Sequence, residues 1–137
     1  MPLLPALVTA LALALYLGTV IAVMRARGHY GIAAPATSGH PVFERLFRIQ
    51  QNTLEQLVLF LPALWLASLY FTKVPLLPGA LGLVWIVGRI LYMQAYMADP
   101  DKRGLGFGIA AFASIALLLL AIVGIVMTWI SAAPTTA

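Results

Sequence analysis

Seven polar residues stand inside runs of otherwise apolar sequence, and their spacing gathers them onto two faces. Arg45, Arg48, Asn52 and Glu55 are separated by three, four and three positions. At about 100° per helical residue they fall within roughly 80° of one another. Arg89, Tyr92 and Tyr96 are separated by three and four positions and share a face in the same way. Arginines bind carboxylates and phosphates through paired hydrogen bonds. A carboxylate among them asks for an ammonium. The set therefore suits a small zwitterion with excess negative charge, although composition and spacing single out no one molecule.

Each residue also has a plainer reading. Arg45 and Arg48 can be interfacial anchors whose charged heads snorkel to lipid headgroups. Arg89 has apolar neighbours on both sides and needs an anionic partner, for which Glu55 is the expected choice, as an ion pair joining two helices. Tyr92 and Tyr96 can be interfacial aromatics, and Asn52 an interhelical hydrogen bond. Two polar faces at one depth favour a shared polar cavity over four separate coincidences.

The elements that must carry these faces are apolar. Of 137 residues, 63% are hydrophobic and 9% are charged, against about 25% charged in soluble domains. A chain this short cannot bury so much apolar surface in one core, and lipid is the natural solvent for the remainder. The pattern predicts an all-α membrane protein, a single domain over 1–137 with four transmembrane helices near 3–24, 42–71, 79–97 and 107–130. About 22 apolar residues at ~1.5 Å each suffice for a crossing. Nothing basic precedes the first run, whereas Arg25 and Arg27 follow it, so it reads as a retained helix, not a cleaved leader. Gly28 to Pro41 reads as a polar loop, Thr72 to Pro78 as a short turn, and Ala98 to Gly106 as a charged turn before the last span and a short polar tail. Pro62 should bend the second helix.

The net charge of +4 reports topology more than a polyanionic partner. Arg25, Arg27, Arg45, Arg48, Lys102 and Arg103 fall on one side, and Lys73 alone on the other. The positive-inside rule puts both termini outside and the two polar loops in the cytoplasm. The basic residues are too few and scattered for nucleic acid. There is no cysteine, so any thiol chemistry must use the substrate's thiol. His29 and His40 are expected in one polar loop with no carboxylate between them, a poor basis for a metal site. The few charges and the absence of a long lumenal domain fit a bacterial inner membrane.

The run Val42-Phe43-Glu44-Arg45 through Arg48-Ile49-Gln50-Gln51-Asn52-Thr53-Leu54-Glu55, followed by Phe60-Leu61-Pro62-Ala63-Leu64-Trp65, resembles the second-helix signature of the membrane-associated proteins in eicosanoid and glutathione metabolism, the MAPEG family. Gly88-Arg89-Ile90-Leu91-Tyr92-Met93-Gln94-Ala95-Tyr96, then Arg103, resembles its third-helix signature. The resemblance implies homotrimers that hold glutathione between subunits toward the cytosol. It assigns Arg48, Asn52, Glu55, Arg89, Tyr92 and Tyr96 to glutathione, Arg27 to the neighbouring subunit's site, and Arg103 to the catalytic position near the thiol. The chain departs from the family pattern at Gln56 and Leu57, where several members have a tyrosine and, two positions on, a proline. Ala95 stands where glycine is common.

A fixed cation near a thiol lowers its pKa and raises the reactive thiolate fraction, and arginine stays protonated throughout. The resemblance thus implies a glutathione transferase, with peroxidase activity toward lipid hydroperoxides as a further expectation, glutathione as co-substrate, a lipophilic electrophile from the bilayer, and no metal. A non-catalytic lipid-binding or scaffold protein on the same fold is the first rival. A small multidrug exporter is the second, though exporters of that size carry a glutamate in the first helix, which here has no acid.

Overall fold

The structure is a computed structural model that describes residues 2–132. The rest of the expected polar tail, 133–137, lies outside the described residues. Helices α1 (Leu3–Tyr30), α2 (Pro41–Tyr70), α3 (Leu77–Ala98) and α4 (Gly104–Ala132) are joined by loops and, before α4, by a 3₁₀ turn at Pro100–Arg103. All four helices are long and apolar enough to cross a membrane, and the described residues contain no strand.

The helices overrun their apolar cores at the polar end. The first extends past Met24 to Tyr30, because no proline stands between Arg25 and Tyr30 and a single glycine, Gly28, weakens a helix without stopping it. It stops at Gly31, which takes a left-handed φ of 64° while the Ile32 N–H returns to the Arg27 carbonyl at 3.0 Å. His29 therefore sits in the last turn of α1 and not in a loop. His40 precedes α2, stacks on Tyr30 with ring centroids 3.7 Å apart, and accepts the Val42 N–H through Nδ1 at 3.3 Å. Pro41 then opens α2, where its missing N–H costs nothing. Pro62 stands within unbroken helical backbone. The expected turn over Ala98 to Gly106 is shorter than its composition suggested, since α4 begins at Gly104.

The core runs between all four helices. Val8, Ala12, Phe60, Leu64, Trp85, Ala110, Ala113 and Leu117 are all buried there. The Phe60 and Trp85 rings lie parallel, within 5°, with centroids 4.0 Å apart, and fix the rotation of α2 against α3. Small residues set the depth of approach. A Cβ on Gly82 would meet Val8 Cγ1 at 2.7 Å, and one on Gly88 would meet the Ala110 backbone nitrogen at 2.7 Å. Gly106 abuts the Tyr92 backbone, with the Tyr92 Cα at 2.7 Å from the same hypothetical atom. Gly82, Gly88 and Ala113 are thus used inside the chain, between its own helices. A second cluster of Val23, Ala26 and Phe43 ties the end of α1 to the start of α2.

The outer surface is apolar. Val58 is 71% exposed and Phe112 is 64% exposed, and Leu7, Ile115 and Ile122 are exposed as well. Such a belt suits lipid and not water. The chain is an integral, multi-pass membrane protein, and its polar loops gather at the end of the bundle opposite its described N-terminal residues.

Candidate functional site

Arg89 is the unusual residue of this bundle: it is 0% exposed. Its guanidinium donates from Nη1 to Asn52 Oδ1 at 2.9 Å and from Nη2 to Thr53 Oγ1 at 2.8 Å. Its Cζ stands 4.2 Å from the centre of the Tyr92 ring, a cation–π contact. Nε is buried without a hydrogen-bond partner. The expected Arg89–Glu55 ion pair is absent, and Glu55 is exposed. Helical geometry gives the reason. Two positions along a helix turn about 200°, so Glu55 points roughly 160° away from Thr53. A guanidinium anchored on Thr53 cannot also reach Glu55.

Above this buried cation lies a cavity of about 520 Å³ lined by Arg48, Asn52, Tyr92, Tyr96, Arg103 and Phe107. That volume falls within the range of small-molecule sites, about 300–1,000 Å³. Each lining residue comes from an element already described. Helix α2 supplies Arg48 and Asn52 one turn apart, and α3 supplies Tyr92 and Tyr96, whose rings are 5.6 Å apart. The 3₁₀ turn supplies Arg103, whose Cζ is 5.6 Å from the Tyr96 ring centre. Phe107 on α4 closes the wall 6.5 Å from the Tyr92 ring. Tyr92 is held from behind by Gly106, whose missing side chain lets the two backbones touch.

Five of the eight residues singled out from sequence therefore converge: Arg48, Asn52, Tyr92, Tyr96 and Arg103. Arg89 underlies the cavity without lining it. Arg27 is apart from it, donating to the Ala36 carbonyl at 2.7 Å and lying 4.8 Å over the Phe43 ring. Glu55 is also outside the lining. Arg45, which shares the α2 stripe, reaches instead to the Met97 carbonyl at 2.8 Å and caps the end of α3. Two contributors were not singled out as site residues from sequence: Phe107, an apolar residue in an apolar run, and Thr53, whose hydroxyl carries no charge to mark it.

The lining is chemically one-sided. It contains two guanidinium groups and no carboxylate. Because arginine only donates, the Asn52 oxygen must face Arg89, which leaves the amide nitrogen as its other polar atom. The cavity is built to receive an anion or a strong hydrogen-bond acceptor. A second hollow of about 430 Å³ at the opposite end, lined by residues including Tyr70, Lys73 and Met127, has a single charged side chain. Among the described residues, no three His, Asp or Glu side chains gather closely enough to hold a metal ion.

A four-helix membrane bundle with an anion-receiving cavity at its polar end is the class that fold and site define. The MAPEG family model matches residues 5–123. The chain is 49% identical over 121 residues to an uncharacterized protein of Synechocystis sp., covering 88% of this chain and 87% of that one. It is 42% identical over 101 residues to human microsomal glutathione S-transferase 2, covering 74% and 67% respectively. It is 35% identical over 135 residues to leukotriene C4 synthase of Cavia porcellus, covering 96% and 87%. The chain belongs to the MAPEG family.

Proposed function

We propose that this protein is a glutathione-dependent membrane transferase that conjugates lipophilic electrophiles, or reduces lipid hydroperoxides, through an activated glutathione thiolate. The observation that carries the reading is the convergence of Arg48, Asn52, Tyr92, Tyr96 and Arg103 on one cavity. It is supported by relatives named as a glutathione transferase and a leukotriene C4 synthase. Arg48 and Asn52 bind the carboxylates of glutathione, with Tyr92 and Tyr96 as walls and hydroxyl donors. Arg103 stands near the sulfur and favours the thiolate.

The thiol gives its proton to water at the polar end. The thiolate's electron pair then forms the carbon–sulfur bond, and the leaving group or opened ring takes the displaced pair. Reduction of a hydroperoxide consumes two glutathiones, oxidised to the disulfide, and yields the alcohol and water. Holding thiolate and lipophile side by side supplies much of the rate advantage.

The active assembly in this reading is a homotrimer with the site at the subunit boundary. Arg27 then acts across that boundary on the neighbouring subunit's glutathione, which fits its place outside the lining of its own chain's cavity, and Glu55 contributes to glutathione at the covered boundary. An exposed carboxylate on a spanning helix needs such a cover, because lipid is a poor neighbour for it. The basic end faces the cytoplasm of a bacterial inner membrane, where glutathione is kept reduced.

The test is an ultraviolet titration of detergent-purified protein with glutathione, following thiolate absorbance. A saturable signal lost in Arg103→Ala, with turnover falling more than glutathione affinity, supports the reading. Folded protein with no signal at millimolar glutathione refutes it in favour of a non-catalytic lipid-binding protein on the same fold.

A further inference from the structure

Asn52 and Thr53 are consecutive, and their side chains diverge by about 100° around α2. Asn52 faces the cavity and Thr53, 0% exposed, faces the core. The Arg89 guanidinium bridges the gap with one N–H group to each. The Thr53 hydroxyl has one proton, which it donates to the Ile49 carbonyl at 2.7 Å. It therefore meets Arg89 with lone pairs only and can act there only as an acceptor. The two partners fix the plane and rotation of the guanidinium together. With its Nε unpartnered, Arg89 would keep a single hydrogen bond, to Asn52, if the Thr53 arm were lost, and one bond leaves the guanidinium free to pivot about it.

The consequence reaches the cavity through Asn52. An asparagine amide has an acceptor end and a donor end of nearly equal size, and its neighbours decide which way it lies. Arg89 claims the oxygen. The donor end is then left for the ligand. Released from Arg89, the amide could turn over and offer its oxygen to a bound anion, which repels it.

We infer that Thr53 is a positioning residue for this site: it locks the Arg89 fork so that Asn52 presents N–H donors, and not its carbonyl, to the carboxylate of the bound substrate. The inference rests on the glutathione reading of the cavity for its ligand, and it concerns a residue that does not touch that ligand. Thr53 thereby tunes affinity for the anionic substrate while leaving the thiol-activating arginine untouched.

The experiment compares full-length wild type, Thr53→Val and Thr53→Ser, purified in detergent. Glutathione affinity is read from the thiolate titration, and KM and kcat from turnover of chlorodinitrobenzene. Thr53→Val keeps the shape and removes the acceptor. It is expected to raise the glutathione KM about tenfold, the size of one lost hydrogen bond to a charged group. Its kcat at saturating glutathione should stay within about twofold of wild type, well under the tenfold that one such bond is worth. Thr53→Ser restores the hydroxyl and should restore the KM. If Thr53→Val does not yield monodisperse protein, Thr53→Ala replaces it with the same expected outcome. An unchanged KM in the hydroxyl-free variant overturns the inference, as does a serine variant that fails to restore it, or a loss of kcat and KM together. A wild type that gives no glutathione signal overturns the proposed function with it. A wild type that binds while the valine variant binds equally well overturns this inference alone.

Discussion

Gly106 couples the packing of the bundle to the geometry of the cavity, and Gly106→Ala tests that coupling. The added Cβ would stand 2.7 Å from the Tyr92 Cα and 2.8 Å from the Gly88 carbonyl oxygen, where ordinary contact begins near 3.4 Å. Both obstacles are backbone, so neither can rotate away. The Tyr92 backbone nitrogen lies closer still, so relief requires α4 to retreat from α3 by more than about 0.7 Å, the difference between 3.4 and 2.7 Å. Overpacking of this kind costs about 1–3 kcal/mol. The retreating segment carries Phe107 and adjoins Arg103, while Tyr92 and Tyr96 stay with α3. A misplacement of about 1 Å can cost on the order of a hundredfold in rate, so turnover should fall at least about tenfold. The assay is the thermal midpoint of the detergent-purified protein, read by circular dichroism, with glutathione-dependent turnover measured well below it. Gly108→Ala is the control: nothing lies within 4 Å of its added Cβ. It should be neutral, or gain up to about 1 kcal/mol from helix propensity. A Gly106→Ala protein with an unchanged midpoint and unchanged turnover would refute the argument that this contact sets the site.

Two further outcomes follow from the same geometry. Phe60→Ala removes a fully buried ring stacked on Trp85 and should cost about 3–5 kcal/mol; a midpoint shift no larger than that of a surface substitution would show that the stack does not organise α2 against α3. Arg48→Ala should weaken glutathione binding in the thiolate titration by about tenfold, because a charged hydrogen bond is lost, and the effect should shrink in high salt since Arg48 is exposed. Unaltered affinity would return Arg48 to the role of a headgroup anchor.

The sequence by itself determined the solvent and the faces. Long uncharged runs separated by polar turns point to spanning helices, and the four helices cover those runs, within three residues at every end but the C-terminal end of α1, which runs six residues further. The spacing of Arg48 with Asn52, and of Arg89 with Tyr92 and Tyr96, followed from the 3.6-residue period alone. The family signatures lie in those same stretches, which is why the family was legible too. Helix ends were less so. Arg25 to Tyr30 looks polar and therefore loop-like, yet it stays helical until Gly31, because polarity ends the lipid and not the helix.

Only the tertiary structure decided which faces meet. Periodicity places Glu55 on the same stripe as Arg48, and charge alone made it the natural partner for Arg89. The rotation of α3 is set elsewhere, by the Phe60–Trp85 stack and by the close backbone contacts at Gly88 and Gly106. That rotation turns Arg89 inward onto Asn52 and Thr53 and leaves Glu55 outside. A sequence records which side chains lie along one helix face. The angle and depth at which another helix meets that face come from packing summed over the whole interface, and no single residue encodes them.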